Sequence, residues 1–112
     1  MKTYSFDSLN EIADGDEDFI QSIVEAFLEE LPEDLDAMLS AAENQNRQLV
    51  YYYAHKMKPN LQMLGLRLED HINALQTWSN STEDIDAAQQ HIDKIEAVLK
   101  TTFEELKRDF TI

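Results

Sequence analysis

Residues 47–68 read RQLVYYYAHKMKPNLQMLGLRL, and the distribution of apolar and charged side chains along them decides the fold. At about 100° per residue, Val50, Tyr53, Ala54, Met57, Leu61 and Leu64 share one helix face and span roughly a quarter of its circumference. This is the i, i+3, i+4, i+7 spacing of a helix packed along one side. His55 projects roughly 140° from the centre of that stripe, beside Gln48, Tyr51, Lys58, Pro59 and Gln62. A histidine on the stripe would be a satisfied core residue; this one faces outward. Of the three consecutive tyrosines, Tyr53 belongs to the core face, Tyr51 to the His55 side and Tyr52 to the boundary.

The same segment is set apart by charge. The chain holds 23 acidic and nine basic residues, a net charge of −14, yet no Asp or Glu lies between Asn44 and Leu68. Arg47, Lys56, Lys58 and Arg67, four of the nine basic residues, fall inside that window. Charge patterning of this kind suits a place where an anion must be tolerated. The rest of the protein is too acidic for a phosphate backbone or an anionic membrane surface, both of which need a basic footprint.

Working outward, 112 residues make one domain with one core. Hydrophobic residues make up 43% and there are only two Gly and two Pro, which predicts a compact helical chain. There is no cysteine, so disulfides and thiolate metal sites are excluded. No apolar run approaches the ~18 residues of a membrane helix, and MKTYSFDSLN lacks the apolar core of a signal peptide. The expectation is a cytoplasmic protein, and Met1 with a completed last helix leans toward a whole one.

Residues 1–14 read as an N-terminal arm with a turn or two of helix from Phe6 to Ile12, its Tyr4, Phe6, Leu9 and Ile12 covering one end of the core. Residues 15–112 read as the main domain. Its first long helix starts near Gly15–Asp16, with Asp14 or Asp16 as cap and Asp16, Glu17 and Asp18 at the positive end of the dipole. Ile20, Ile23, Val24, Phe27, Leu31, Leu35, Met38 and Ala42 form its stripe, which keeps phase through Pro32. A single kinked helix is therefore expected, its outward acids forming a solvated face. Glu43–Asn46 connects to the His55 helix, which ends at about Leu64 with Gly65 at its C-terminus. A third helix spans Leu66 to Trp78, and a last one runs from Thr82 or Glu83 to Asp109, with Ser81 or Thr82 as N-cap. No stretch alternates with period two. The fold class is all-α, and four such helices joined by short loops bury their stripes most simply as an antiparallel four-helix bundle.

The segment AHKMKPNLQMLGL, residues 54–66, resembles the signature of histidine-containing phosphotransfer (HPt) domains, with Ala54, His55, Met57, Lys58, Leu64 and Gly65 matching in register. DGDEDFIQSIVEAFLEELPEDLDAML, residues 14–39, resembles that family's preceding helix, and the resemblance extends over nearly the whole chain. The departures are Pro59, where the family usually has glycine, and Asn60, where a small residue is common. The resemblance implies a phosphorelay protein, a monomer. A phosphoryl group would arrive on His55 from an aspartyl phosphate of a response-regulator receiver domain, downstream of a hybrid sensor kinase, and leave to another receiver. It implies no cofactor of the chain's own, the Mg²⁺ belonging to the receiver. Gln48, Tyr51, Lys56, Pro59, Gln62 and Arg67 would form the docking surface. The family often orients its histidine with a glutamine on the next helix; in register that position is Thr77, with Gln76 beside it, so the orienting residue stays open.

The chemistry of the segment fits this on its own terms. A phosphoacceptor imidazole must attack with an unprotonated nitrogen, and histidine's usual pKa near 6.5 leaves it largely neutral above pH 7. Lys58 and Lys56 oppose the protonating field of the acidic protein and would attract the phosphate. A unit-charge pair at ~4 Å is worth about 1 kcal/mol in water and about 4 at an effective dielectric of 20, so a cation there counts more once a partner covers the site. Nothing nearby supplies a base and an orienting group, so the chain is expected to be a phosphocarrier that does not catalyse its own phosphorylation. Pro59 offers no N–H to the His55 carbonyl and would bend the helix there. His71 and His91 read as surface or boundary residues, and three scattered histidines make no metal motif. The competing expectation is an acidic docking protein that binds a kinase or receiver without carrying phosphate.

Overall fold

A computed structural model describes residues 2–112; Met1 and the side chain of Ile12 lie outside it. Five helices account for the secondary structure among the described residues: α1 (Asp7–Ala13), α2 (Glu17–Glu43), α3 (Arg47–Met63), α4 (Glu69–Ser79) and α5 (Asp86–Asp109). Consecutive helices pack on each other, α2 on α3, α3 on α4 and α4 on α5, and α5 returns to α2. The result is a rod of 47 × 23 × 23 Å with α1 laid against α2. No described helix is long and apolar enough to cross a membrane.

The core is built from the expected stripes. Val24, Phe27, Leu31, Leu35 and Met38 of α2 meet Val50, Ala54, Met57 and Leu61 of α3, Ile72, Leu75 and Trp78 of α4, and Ile92, Ile95, Leu99 and Leu106 of α5. Asp16 caps α2, its Oδ1 accepting the Phe19 N–H at 3.1 Å. The helix then runs unbroken through Pro32, because the apolar phase continues on both sides and tertiary packing offsets the one hydrogen bond that proline removes.

Both ends of the α3 segment close with paired bonds that turn the chain sharply. After α2, the Asn46 N–H reaches the Ala41 carbonyl and the Gln45 N–H that of Ala42, with Gln45 at φ 55°. Asn46 then caps α3 by accepting the Leu49 N–H. After α3, the Leu66 N–H reaches the Leu61 carbonyl and the Gly65 N–H that of Gln62. This is the Schellman arrangement, with the buried Leu66 and Leu61 supplying its apolar contact.

Gly65 is required there twice over. Its φ is +69°, and a Cβ would stand 2.9 Å from Ser5 Cβ and 3.1 Å from Ser5 O. The N-terminal arm crosses at this point, the Ser5 N–H donating to the Leu64 carbonyl at 2.8 Å. Gly65→Ala is therefore expected to cost at least the roughly 1–2 kcal/mol of a left-handed non-glycine residue and to lift the arm. Urea unfolding reads the first effect and faster amide exchange at Ser5 the second.

The arm itself is tied down more firmly than its sequence suggests. Leu9 is fully buried, while Tyr4 and Phe6 are half-buried against the core. The Thr3 N–H and hydroxyl donate to Glu105 Oε1 at 2.8 and 2.9 Å, so Glu105 is a buried carboxylate with partners. Lys2 lies 2.8 Å from Asp109, and Lys2 together with the Tyr4 hydroxyl holds that carboxyl at a pKa of about 2.

Two boundaries differ from expectation. α4 starts at Glu69 rather than Leu66, because residues 66–68 are spent on the turn that buries Leu66 and Leu68. α5 starts at Asp86 rather than at Thr82 or Glu83, and neither Ser81 nor Thr82 caps it. Side chains there compete with the helix: Ser81 Oγ donates to the Trp78 carbonyl, and Asp84 Oδ1 accepts the Asp86 N–H. The Asp84 carbonyl takes the Trp78 indole N–H at 2.8 Å.

Candidate functional site

α3 carries its core stripe inward and so presents His55 to solvent from mid-helix. The imidazole lies against the Tyr51 ring one turn earlier, centroids 5.6 Å apart and tilted by 57°. It makes no hydrogen bond among the described residues. His55 sits in an open groove of about 600 Å³ lined by Gln48, Tyr51, Tyr52, Lys56, Ser79 and Asn80. The last two come from the end of α4, which packs along this flank of α3.

Of the residues singled out from sequence, the groove gathers Gln48, Tyr51, His55 and Lys56. Pro59 is exposed one turn further along α3. Lys58 is half-buried and makes no ion pair among the described residues. Gln62 and Arg67, both exposed, line a separate depression beside Ser5, Asp7 and Gly65. They are not part of the His55 groove. Neither candidate for orienting the histidine reaches it: Gln76 and Thr77 are both exposed, and the Thr77 hydroxyl bonds the Asn73 carbonyl.

Lys56 departs from its expected part. Its Nζ donates to Asp34 Oδ1 of α2 at 2.9 Å, and that carboxylate raises the lysine's pKa, with Glu30 adding a little. The ammonium is thus already neutralised, and an incoming phosphate would compete with Asp34 for it. Asp34 is only 5% exposed, and its second oxygen, Oδ2, has no partner among the described residues. It is not one of the solvated acids of α2. A signal for it exists in the sequence, since Asp34 stands three residues after Leu31 and four before Met38, in phase with the core stripe. A charged residue there needs a partner on the facing helix.

Tyr52 also departs. It is 56% exposed rather than at a boundary, and its ring meets Tyr53 edge-on at 5.0 Å. Leu49, one turn earlier on the same helix, is also exposed, at 42%. Ser79 and Asn80 could not be found from spacing, because they reach the groove only through the packing of α4 on α3. Among the described residues no group of three or more His, Cys, Asp or Glu is placed to hold a metal ion.

The arrangement offers an exposed imidazole, an aromatic wall, and amide and hydroxyl groups at the rim, and further along α3 the half-buried Lys58, which makes no ion pair among the described residues. It can accept a small electrophilic group from a partner that covers the groove. Set against protein-family models, curated proteins and solved structures, the chain matches none of them.

Proposed function

We propose that this chain is a histidine phosphotransfer protein of a multistep phosphorelay, with α2–α5 as the antiparallel four-helix bundle of that family and the cytoplasm as its compartment. The observation that carries the reading is an exposed imidazole, without a hydrogen bond among the described residues, in the middle of a helix free of acidic residues. In the transfer, an imidazole nitrogen of His55 attacks the phosphorus of a receiver's aspartyl phosphate. The N–P bond forms, the acyl P–O bond breaks, and the aspartate leaves as a carboxylate. The reverse exchange with a second receiver discharges the histidine. The receiver brings the Mg²⁺ that polarises the phosphoryl oxygens, and Lys58 offsets part of the charge gained on His55.

Incubation with a phosphorylated receiver domain tests this. An adduct of one phosphoryl group, stable in base, lost in acid and passed on to a second receiver, is the expected result. Binding to several receivers without any adduct would replace the reading by that of a docking protein, for which Tyr52 and Leu49 would be the contact.

Pro59 shapes the same surface. It leaves the His55 carbonyl without the N–H that any other residue would donate, and its ring stands where the family's glycine would leave room. Pro59→Gly is expected to change transfer rates unequally among receivers and to widen the set that is accepted. Unchanged rates and unchanged selectivity in a panel assay would refute this.

A further inference from the structure

His71 of α4 and His91 of α5 face each other across the seam between these helices, both half-buried, with Nδ1 atoms 2.9 Å apart. The ring centroids are 5.2 Å apart, which equals the nitrogen separation plus the two ring radii, so the nitrogens point head-on. A metal ion bound at about 2.0–2.1 Å from each would need about 4 Å between nitrogens in this alignment. The 2.9 Å gap therefore holds a proton, one Nδ1 donating and the other accepting through its lone pair.

We propose that His71 and His91 form a proton-sharing latch that closes the α4–α5 seam when it carries no more than one extra proton and opens it when both rings are charged. The first added proton goes to the outer nitrogen of the donor ring and strengthens the shared bond. The second must occupy the accepting Nδ1. Two N–H groups then confront each other, two positive charges face across the seam, and the bond is lost.

The surroundings favour the closed form. Burial, His91 and Lys94 of α5 together lower the pKa of His71, against a smaller opposing pull from Asp70 of α4. Among the described residues no charged group of α3, which also packs on α4, contributes to this shift. The sign follows from linkage: the unfolded chain takes up a proton at this position near pH 6.5 while the folded one does not. The stabilisation is thus complete above that value and is lost as pH falls through the lower folded one.

Site-resolved NMR titration of the intact protein tests the latch. The two rings are expected to titrate as a coupled pair in steps about one pH unit or more apart. Amide exchange at Ile72 and Leu75 should rise several-fold through the lower step. In His91→Gln, the remaining His71 should titrate in one step closer to 6.5, and the acid-induced loosening of α4 should be reduced. Independent titration of both rings, with midpoints unmoved in the single variants His71→Gln and His91→Gln, would overturn the proposal. So would exchange at α4 that is indifferent to the lower step. The wild-type titration decides the matter even where a variant fails to fold.

Discussion

Replacing His55 with glutamine is expected to abolish phosphoryl acceptance while leaving the folded state where it was. The two halves of this result rest on different links of the argument. His55 is exposed, bonds to nothing among the described residues and lies against the Tyr51 ring. Surface substitutions of that kind change stability by no more than about 0.5 kcal/mol, and glutamine is at least as good a helix former as histidine. The chemical loss, by contrast, is total, because an amide offers no nucleophilic nitrogen and His71 and His91 are engaged with each other across a different seam. Intact mass after incubation with a phosphorylated receiver, and a urea melt on the same sample, measure both halves. Residual adduct in the variant would place the acceptor elsewhere, and a large loss of stability would make the missing adduct uninterpretable.

The largest structural effect is expected at Trp78. Its ring is 4% exposed, its indole N–H holds the Asp84 carbonyl, and the Arg47 guanidinium lies over its face, 5.1 Å from the centroid. The same guanidinium donates to the carbonyls of Trp78 and Ser81, at 3.3 and 2.7 Å. One side chain therefore joins the start of α3, the end of α4 and the turn into α5. Trp78→Ala should cost about 3–5 kcal/mol, a large share of the roughly 5–15 kcal/mol that keeps a domain folded. The midpoint of thermal unfolding should fall by at least about 10 °C. A loss under about 1 kcal/mol would mean that the corner is held by the Arg47 bonds rather than by the ring.

These two residues mark how differently fold and site were legible in the sequence. The α3 stripe predicted a helix from Arg47 to about Leu64, and the structure ends it one residue earlier. Periodicity and caps are local properties, so α2, with Asp16 and an in-phase Pro32, was equally readable. The outward direction of His55 was legible because it too follows from periodicity within one helix. What failed needed a second helix. Asp34 is buried because Lys56 faces it, His71 and His91 pair because α4 and α5 bring them together, and Arg67 lies outside the groove, in the turn after α3 beside the arm. Spacing along one chain segment carries no information on which side chain waits across a seam. The start of α5 failed for another reason, since serine and aspartate side chains in residues 81–85 bond backbone groups that a helix would otherwise use.

The pairing of Lys2 with Asp109 and of Phe6 with Phe110 places residues 2–6 beside residues 109–110. Ser5 of the arm crosses at Leu64 and Gly65, and Gly65 lies ten residues or roughly 15 Å along the chain of α3 from His55. A short linker between residues 2 and 112 would close the chain at little entropic expense, and new ends could then be opened in the exposed turn at Thr82–Glu83. Tags, fluorophores or whole domains fused before residue 2 or after residue 112 would project from the arm's side of the rod, away from the residues that line the histidine groove. The protein is in this sense a side-reading cartridge, able to be tethered at residues 2 and 112 without hiding the surface on which we expect it to act.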